Sequence, residues 1–251
     1  NAALHETLDN QLLRSAQIQC QMNDCELNVT PQYDLSTSRL MLGTGSRVQN
    51  VQITSDVCRS WLGYVSPMLA DAAEVQGLVS ARVDRFLWDF ESPQNSDASA
   101  QLTIHHAQAS PGSSLASLLE VISMLRRKDG AADLSQRSLI LPEQTVPVTV
   151  RQGNVIHDGL VMDLNGYRLK TSGAVSLNEQ IQMVIDVPLE KSTAAASGRS
   201  IKVPLRGSIS SPQPDVAGLL QNLGTQKIQD KISNEVDQQF NKGLNKLFDK
   251  F

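Results

Sequence analysis

Few side chains in this sequence have the type and spacing that catalysis or metal binding requires. Of its four histidines, His105 and His106 are neighbours, so on a strand they face opposite sides and are poorly placed to bind one metal. His157-Asp158-Gly159 is typical of a turn, whose geometry explains the aspartate and the glycine. No phosphate-binding glycine loop, dinucleotide-binding glycine motif or nucleophile elbow occurs. We therefore predict no catalytic residue, no metal site, no cofactor and no enzymatic activity.

The three cysteines match no zinc-binding spacing. Asn23-Asp24 favours a turn between Cys20 and Cys25, so these two side chains could face each other across a hairpin. In an oxidising compartment they would form a short-loop disulfide. The alternative is that Cys20, Cys25 and Cys58 are all reduced or buried thiols. The sequence is compatible with either the disulfide or three free thiols.

Composition indicates an ordinary globular chain. It has 251 residues, 40% of them hydrophobic, which is enough to bury a core without disulfides or metal. The net charge of −4 argues against nonspecific nucleic-acid binding, which needs a basic face. No apolar run approaches the roughly 18 residues of a membrane-spanning helix. Because the sequence starts at Asn1 without a leader, we expect it to be part of a longer protein.

Apolar periodicity predicts four helices. The first three cover residues 4–14, 55–73 and 113–128. In the second, Ser55 or Asp56 is placed to cap the N-terminus, and Pro67 should kink the helix or divide it in two.

The fourth predicted helix covers residues 216–251 and is amphipathic. Its apolar stripe includes Ile232, Val236, Phe240, Leu244 and Phe248, with mostly polar residues elsewhere. This stripe either packs on the rest of the domain or contacts a partner helix or a membrane surface.

Between the helices the apolar period changes to two. Alternation over 146–150, 160–164 and 181–189 predicts strands with one buried face, and Asn165-Gly166 is a strong hairpin signal. We predict an α+β, mainly β fold: a curved antiparallel sheet with amphipathic helices on one face and a long C-terminal helix. An N-terminal α+β portion, 1–138, precedes a β-meander with the C-terminal helix, 139–251.

The C-terminal half resembles a known family. The segments Asn154–Leu160 and Leu169–Leu177, and above all Val203–Pro212 with its pattern P-hydrophobic-x-G-[ST]-hydrophobic-x-x-P, are similar to the C-terminal region of AsmA-like bacterial envelope proteins. The similarity covers 146–251 and extends weakly upstream through 67–70 and 75–80, which resemble TamB-type relatives. It implies a protein on the periplasmic side of the bacterial cell envelope, anchored by an N-terminal transmembrane helix outside this sequence.

The resemblance also implies a function. Curved sheets of this family form an apolar groove implicated in carrying lipids between membranes and in outer-membrane assembly. Aliphatic strand faces suit such a groove, although they can equally pack under a helix. The residues predicted to line it are Leu160, Met162, Leu164, Ile181, Met183, Ile185 and Val187.

We therefore expect a non-enzymatic module that binds or transfers lipid or another apolar ligand. Membrane or envelope-protein partners would be reached through the parent protein, and nucleic acid is not expected. The alternative is a structural or protein-interaction domain that docks through its C-terminal helix.

Overall fold

The computed structural model describes residues 6–70, 72, 74–110, 112, 116, 139–188 and 200–215. Within them, 16 strands join into one antiparallel sheet, which confirms the mainly β, antiparallel prediction. Of the helix predicted over 113–128 only Ala116 is described, in helical conformation. The helix predicted over 216–251, with its apolar stripe from Ile232 to Phe248, lies outside the described residues.

Seven short strands come first. They are β1 (Glu6–Asp9), β2 (Leu12–Ser15), β3 (Ile18–Met22), β4 (Cys25–Val29), β5 (Pro31–Asp34), β6 (Arg39–Leu42) and β7 (Arg47–Gln52). A helical segment follows, made of α1 (Ser55–Arg59), a 3₁₀ turn (Leu62–Tyr64) and α2 (Pro67–Ala70).

Nine further strands complete the sheet, and the first two of them are the longest. These two are β8 (Val75–Asp89) and β9 (Asp97–Ala109), with a 3₁₀ turn (Pro93–Asn95) between them. The others are β10 (Leu139–Leu141), β11 (Gln144–Arg151), β12 (Asn154–Leu164), β13 (Tyr167–Ser176), β14 (Ile181–Pro188), β15 (Ser200–Ser208) and β16 (Ser211–Pro214).

The sheet branches at β8. Along one edge, the last residues of β8 pair with β6, and its earlier residues pair with β7. The strands β6, β5, β2 and β1 follow one another outward from β8, and we call them the first arm. The strands β7, β4 and β3 also follow one another outward from β8, and we call them the second arm. Along its other edge β8 pairs with β9, which pairs with both β10 and β11, and β12 to β16 continue as a meander. One sheet therefore includes strands from both predicted portions, 1–138 and 139–251.

The helix predicted over 4–14 is wrong. These residues form the β1–β2 hairpin, in which Leu8 lies opposite Leu13. Asn10 and Gln11 connect the strands with φ values of 46° and 67°, the sign that a two-residue type I′ turn requires. Leucines four residues apart lie on one face of a strand as well as on one face of a helix, so their spacing alone does not separate the two structures.

The helix predicted over 55–73 forms as separate pieces. Pro67 is the first residue of α2, which confirms the predicted division, since proline fits the first turn of a helix but not its interior. Neither predicted cap residue is the cap. The side chain of Thr54, not that of Ser55 or Asp56, accepts a hydrogen bond from the backbone N–H of Val57.

The strands predicted from alternation are confirmed in β11, β12 and β14. Asn165 and Gly166 form the β12–β13 turn with φ values of 52° and 84°, as predicted for a hairpin. Every second residue of β14 is buried, which fits a strand with one face against a core.

Candidate apolar ligand surface

The seven residues predicted to line a groove lie side by side on one face of the sheet. Strand pairing places Met162 opposite Leu169, and Ile185 opposite both Thr171 and Val203. Each of the seven is at most 2% exposed. In this structure these side chains therefore belong to the hydrophobic core and do not form the wall of an open groove.

The helical segment Ser55–Ala70, which we call the helical cover, lies over part of this face. Leu62, Met68 and Leu69 are at most 1% exposed and belong to the same core cluster as the groove candidates. The hydroxyl of Ser66 lies 3.9 Å from the sulfur of Met162. A Cβ at Gly63 would lie 2.9 Å from Cγ2 of Ile209, so the cover and the sheet meet without spare room.

The same apolar face continues beyond the cover. On β9, Leu102 and Ala98 are four residues apart and both buried, so they lie on the same side of the sheet. On β8, Ala81 lies opposite Leu102, and Phe86 lies opposite Ala98. Phe86 and, two residues later, Trp88 are therefore on the core side of the sheet. Both are only half-buried, because they lie where β8 leaves the covered region and joins the first arm.

A row of large apolar side chains crosses the first arm from Trp88. Strand pairing places Trp88 opposite Leu40, Leu40 opposite Tyr33, Tyr33 opposite Leu13, and Leu13 opposite Leu8. We call these five residues the arm row. Four of them are half-buried, and Leu8 at the edge is 65% exposed.

Other side chains enlarge this apolar surface, whereas the opposite face is more polar. Phe90 is 55% exposed, and its ring centroid lies 6.1 Å from that of Tyr33. On the reverse face, Thr7, Arg14 and Gln32 lie opposite one another across β1, β2 and β5, and this row becomes apolar only at Met41 of β6 and Leu87 of β8. The first arm is thus amphipathic, and its apolar side is the continuation of the core face.

The apolar face of the sheet also continues onto the second arm. Ala81 lies opposite Val48, Val48 opposite Leu27, and Leu27 opposite Cys20. Val48 and Leu27 are half-buried and Cys20 is exposed, so this part of the apolar face is also accessible.

Two polar side chains interrupt the covered part of the face. His157 and Thr171 are at most 2% exposed, and the Nε2 atom of His157 lies 3.1 Å from the hydroxyl of Thr171. Burial lowers the pKa of His157 from 6.5 to about 4, so the ring is neutral at pH 7. The imidazole and the threonine hydroxyl therefore form a polar pair inside the hydrophobic core, out of contact with solvent.

The predicted turn at His157-Asp158-Gly159 is wrong, because these residues lie inside β12. The register shifts between Asp158 and Leu160, and Gly159 takes a φ of 86°, which is a β-bulge. Opposite His157 is Gly173, where an added Cβ would lie 2.6 Å from Cα of Met183. No larger residue fits at that position.

Cys20, Cys25 and Cys58 are all free. The predicted hairpin is present, with Asn23 and Asp24 between β3 and β4. Its register, however, places Cys20 opposite Leu27 and Cys25 opposite Met22. The two cysteines are therefore diagonal neighbours, not a facing pair, and no disulfide joins them.

Sequence reasoning did not find the arm row. Its members come from five strands, and only their pairing shows that they share a face. The run Leu40-Met41-Leu42 does not show which face of a strand is buried, because all three residues are apolar and do not alternate with polar ones.

A scan of protein-family models, a search of curated proteins and a search of solved structures each found no match to this chain. Among the described residues, no helix has the length and apolar character needed to cross a membrane. In that same part of the chain, no three His, Cys, Asp or Glu side chains are grouped to hold a metal ion.

Proposed function

We propose that this chain is a non-enzymatic lipid-handling module of an AsmA-like protein in the bacterial envelope. In this proposal an acyl chain lies along the arm row, on the apolar side of the first arm. One observation carries it: a single apolar sheet face is closed by the helical cover at one end and half-exposed across five strands at the other.

An acyl chain suits this surface for a physical reason. It has no polar groups to satisfy along its length, and each Å² of apolar surface that it shields from water contributes about 25 cal/mol. Contiguous exposed apolar patches on soluble domains commonly mark binding sites. The two arms provide such a patch directly beside a packed core.

The helical cover gives this module a terminal position in a groove. Because the side chains beneath the cover are packed, an acyl chain that follows the face from the first arm would stop there. The resemblance of 146–251 to AsmA-like proteins supports the periplasmic side of the envelope and a role in lipid transfer or outer-membrane assembly.

Mass spectrometry of an organic extract of the purified 251-residue chain tests this proposal. An unrelated protein purified from the same cells is the background control. We expect stoichiometric phospholipid or fatty acid with the native chain. The variant L8D/F90D places one charge on the apolar side of β1 and one after the end of β8, beside Tyr33. Both positions are exposed, so the fold should persist while lipid is lost.

The matched control is T7D/Q32D, which adds the same two charges to the reverse face of the first arm. It should retain the lipid. Lipid-free native chain, or equal lipid in both variants, would contradict the proposal and would favour an interaction module.

A further inference from the structure

Three sulfur-containing side chains occupy one face of the β3–β4 hairpin next to its turn. Met22 lies opposite Cys25, and Cys20 lies two residues before Met22, so strand alternation places all three on the same side. Cys25 is half-buried, Cys20 is exposed, and Met22 is 70% exposed. All three positions are accessible from solvent.

The spacing of the two cysteines suits a bridging ion better than a disulfide. Diagonal neighbours on paired strands are roughly 7–8 Å apart, at or beyond the roughly 7 Å limit between Cα atoms for a disulfide. A metal ion between two thiolates adds two bonds of about 2.3 Å and spans this larger separation. The thioether of Met22, opposite Cys25, is close enough to serve as a third ligand.

The ligand types identify the class of ion. Thiolates and thioethers are soft donors that favour Cu(I), whereas structural zinc takes four Cys or His ligands. Within the described residues, no further His, Cys, Asp or Glu joins these cysteines to make a zinc set. We propose that Cys20, Met22 and Cys25 form a three-sulfur binding site for Cu(I) on the second arm.

Binding at this site is a ligand exchange without electron transfer. Each cysteine loses its thiol proton, Met22 binds through a sulfur lone pair, and copper stays in its monovalent state throughout. Two protons are therefore released for each ion bound.

An anaerobic titration of the 251-residue chain with Cu(I), in competition with the coloured Cu(I) chelator bicinchoninate, tests the proposal. We expect one equivalent of Cu(I) to move from the chelator to the protein. C20S and C25S should each weaken binding by about 100-fold or more, and M22L by about 10-fold. C58A, which removes the buried thiol of α1, should bind as the native chain does.

Three results would overturn the proposal. One is a native chain that takes no copper from the chelator; another is a C20S/C25S double variant that binds as tightly as the native chain. Equal affinities for M22L and the native chain would exclude the thioether and with it the three-sulfur site. Circular dichroism of each variant confirms that a loss of copper binding is not a loss of the fold.

Discussion

The covered region and the first arm use the same apolar sheet face in opposite ways. Beneath the helical cover, Leu160 and Met162 are fully buried. Leu8 on the first arm is 65% exposed, although strand pairing places it on the same side of the sheet. Phe90, which follows β8 and has its ring centroid 6.1 Å from that of Tyr33, is 55% exposed. An apolar strand face therefore does not by itself identify a core or a ligand surface. What lies over the face decides between them.

The largest difference should appear when the cover is weakened. Leu69 in α2 is 0% exposed, so L69A removes a side chain from a packed site and leaves a cavity. We expect the free energy of unfolding to fall by about 2–5 kcal/mol, measured by urea denaturation. A loss below about 1 kcal/mol would mean that α2 is not part of the core and that the covered region and the first arm do not differ in burial.

The second prediction concerns the pH dependence of stability, which reports whether water reaches His157 beneath the helical cover. Burial lowers the pKa of His157 to about 4, whereas the unfolded chain binds this proton near pH 6.5. Stability that is fully present above pH 6.5 is therefore lost as the pH falls to about 4, by an amount on the order of 3 kcal/mol.

The variant H157L removes this titration, so its stability should depend less on pH between 6.5 and 4 than that of the native chain. Urea denaturation at several pH values measures the slope for both proteins. The two proteins are otherwise identical, so the difference between their slopes reports on His157. Equal slopes would show that His157 is hydrated and that water reaches the covered face.

The smallest effect should come from the edge of the first arm. Because Leu8 is 65% exposed, L8A should change the free energy of unfolding by less than about 0.5 kcal/mol. The measurement is the same urea denaturation. A loss as large as that of L69A would mean that the arm row is a second core and leaves no surface for a ligand.

Local patterns were sufficient for the β-meander. Strict alternation identified β14, and Asn165-Gly166 identified a turn, because one face of these strands is fully buried and the turn needs positive φ. Local patterns failed for β1 and β2, because the turn between them contains Gln11 at a positive φ, which glutamine rarely adopts and which its residue type therefore does not predict.

The candidate surface depended on tertiary contacts that no local pattern contains. Pro67 correctly predicted a break in the helical segment, but not that the resulting pieces would lie against Met162. The hairpin between Cys20 and Cys25 was predicted as well, but its register was not. That register places Met22 opposite Cys25 and Leu27 opposite Cys20, so the two cysteines do not face each other.

Photo-crosslinking with a diazirine fatty acid tests the difference between the two regions most directly. The 251-residue chain is irradiated with the probe, digested and mapped by mass spectrometry. We expect crosslinks on the first arm and on the adjoining end of β8, around Leu8, Tyr33 and Trp88. L8D/F90D should reduce these crosslinks, and T7D/Q32D should leave them unchanged. Crosslinks concentrated on β12 to β14, beneath the helical cover, would contradict a ligand surface on the first arm.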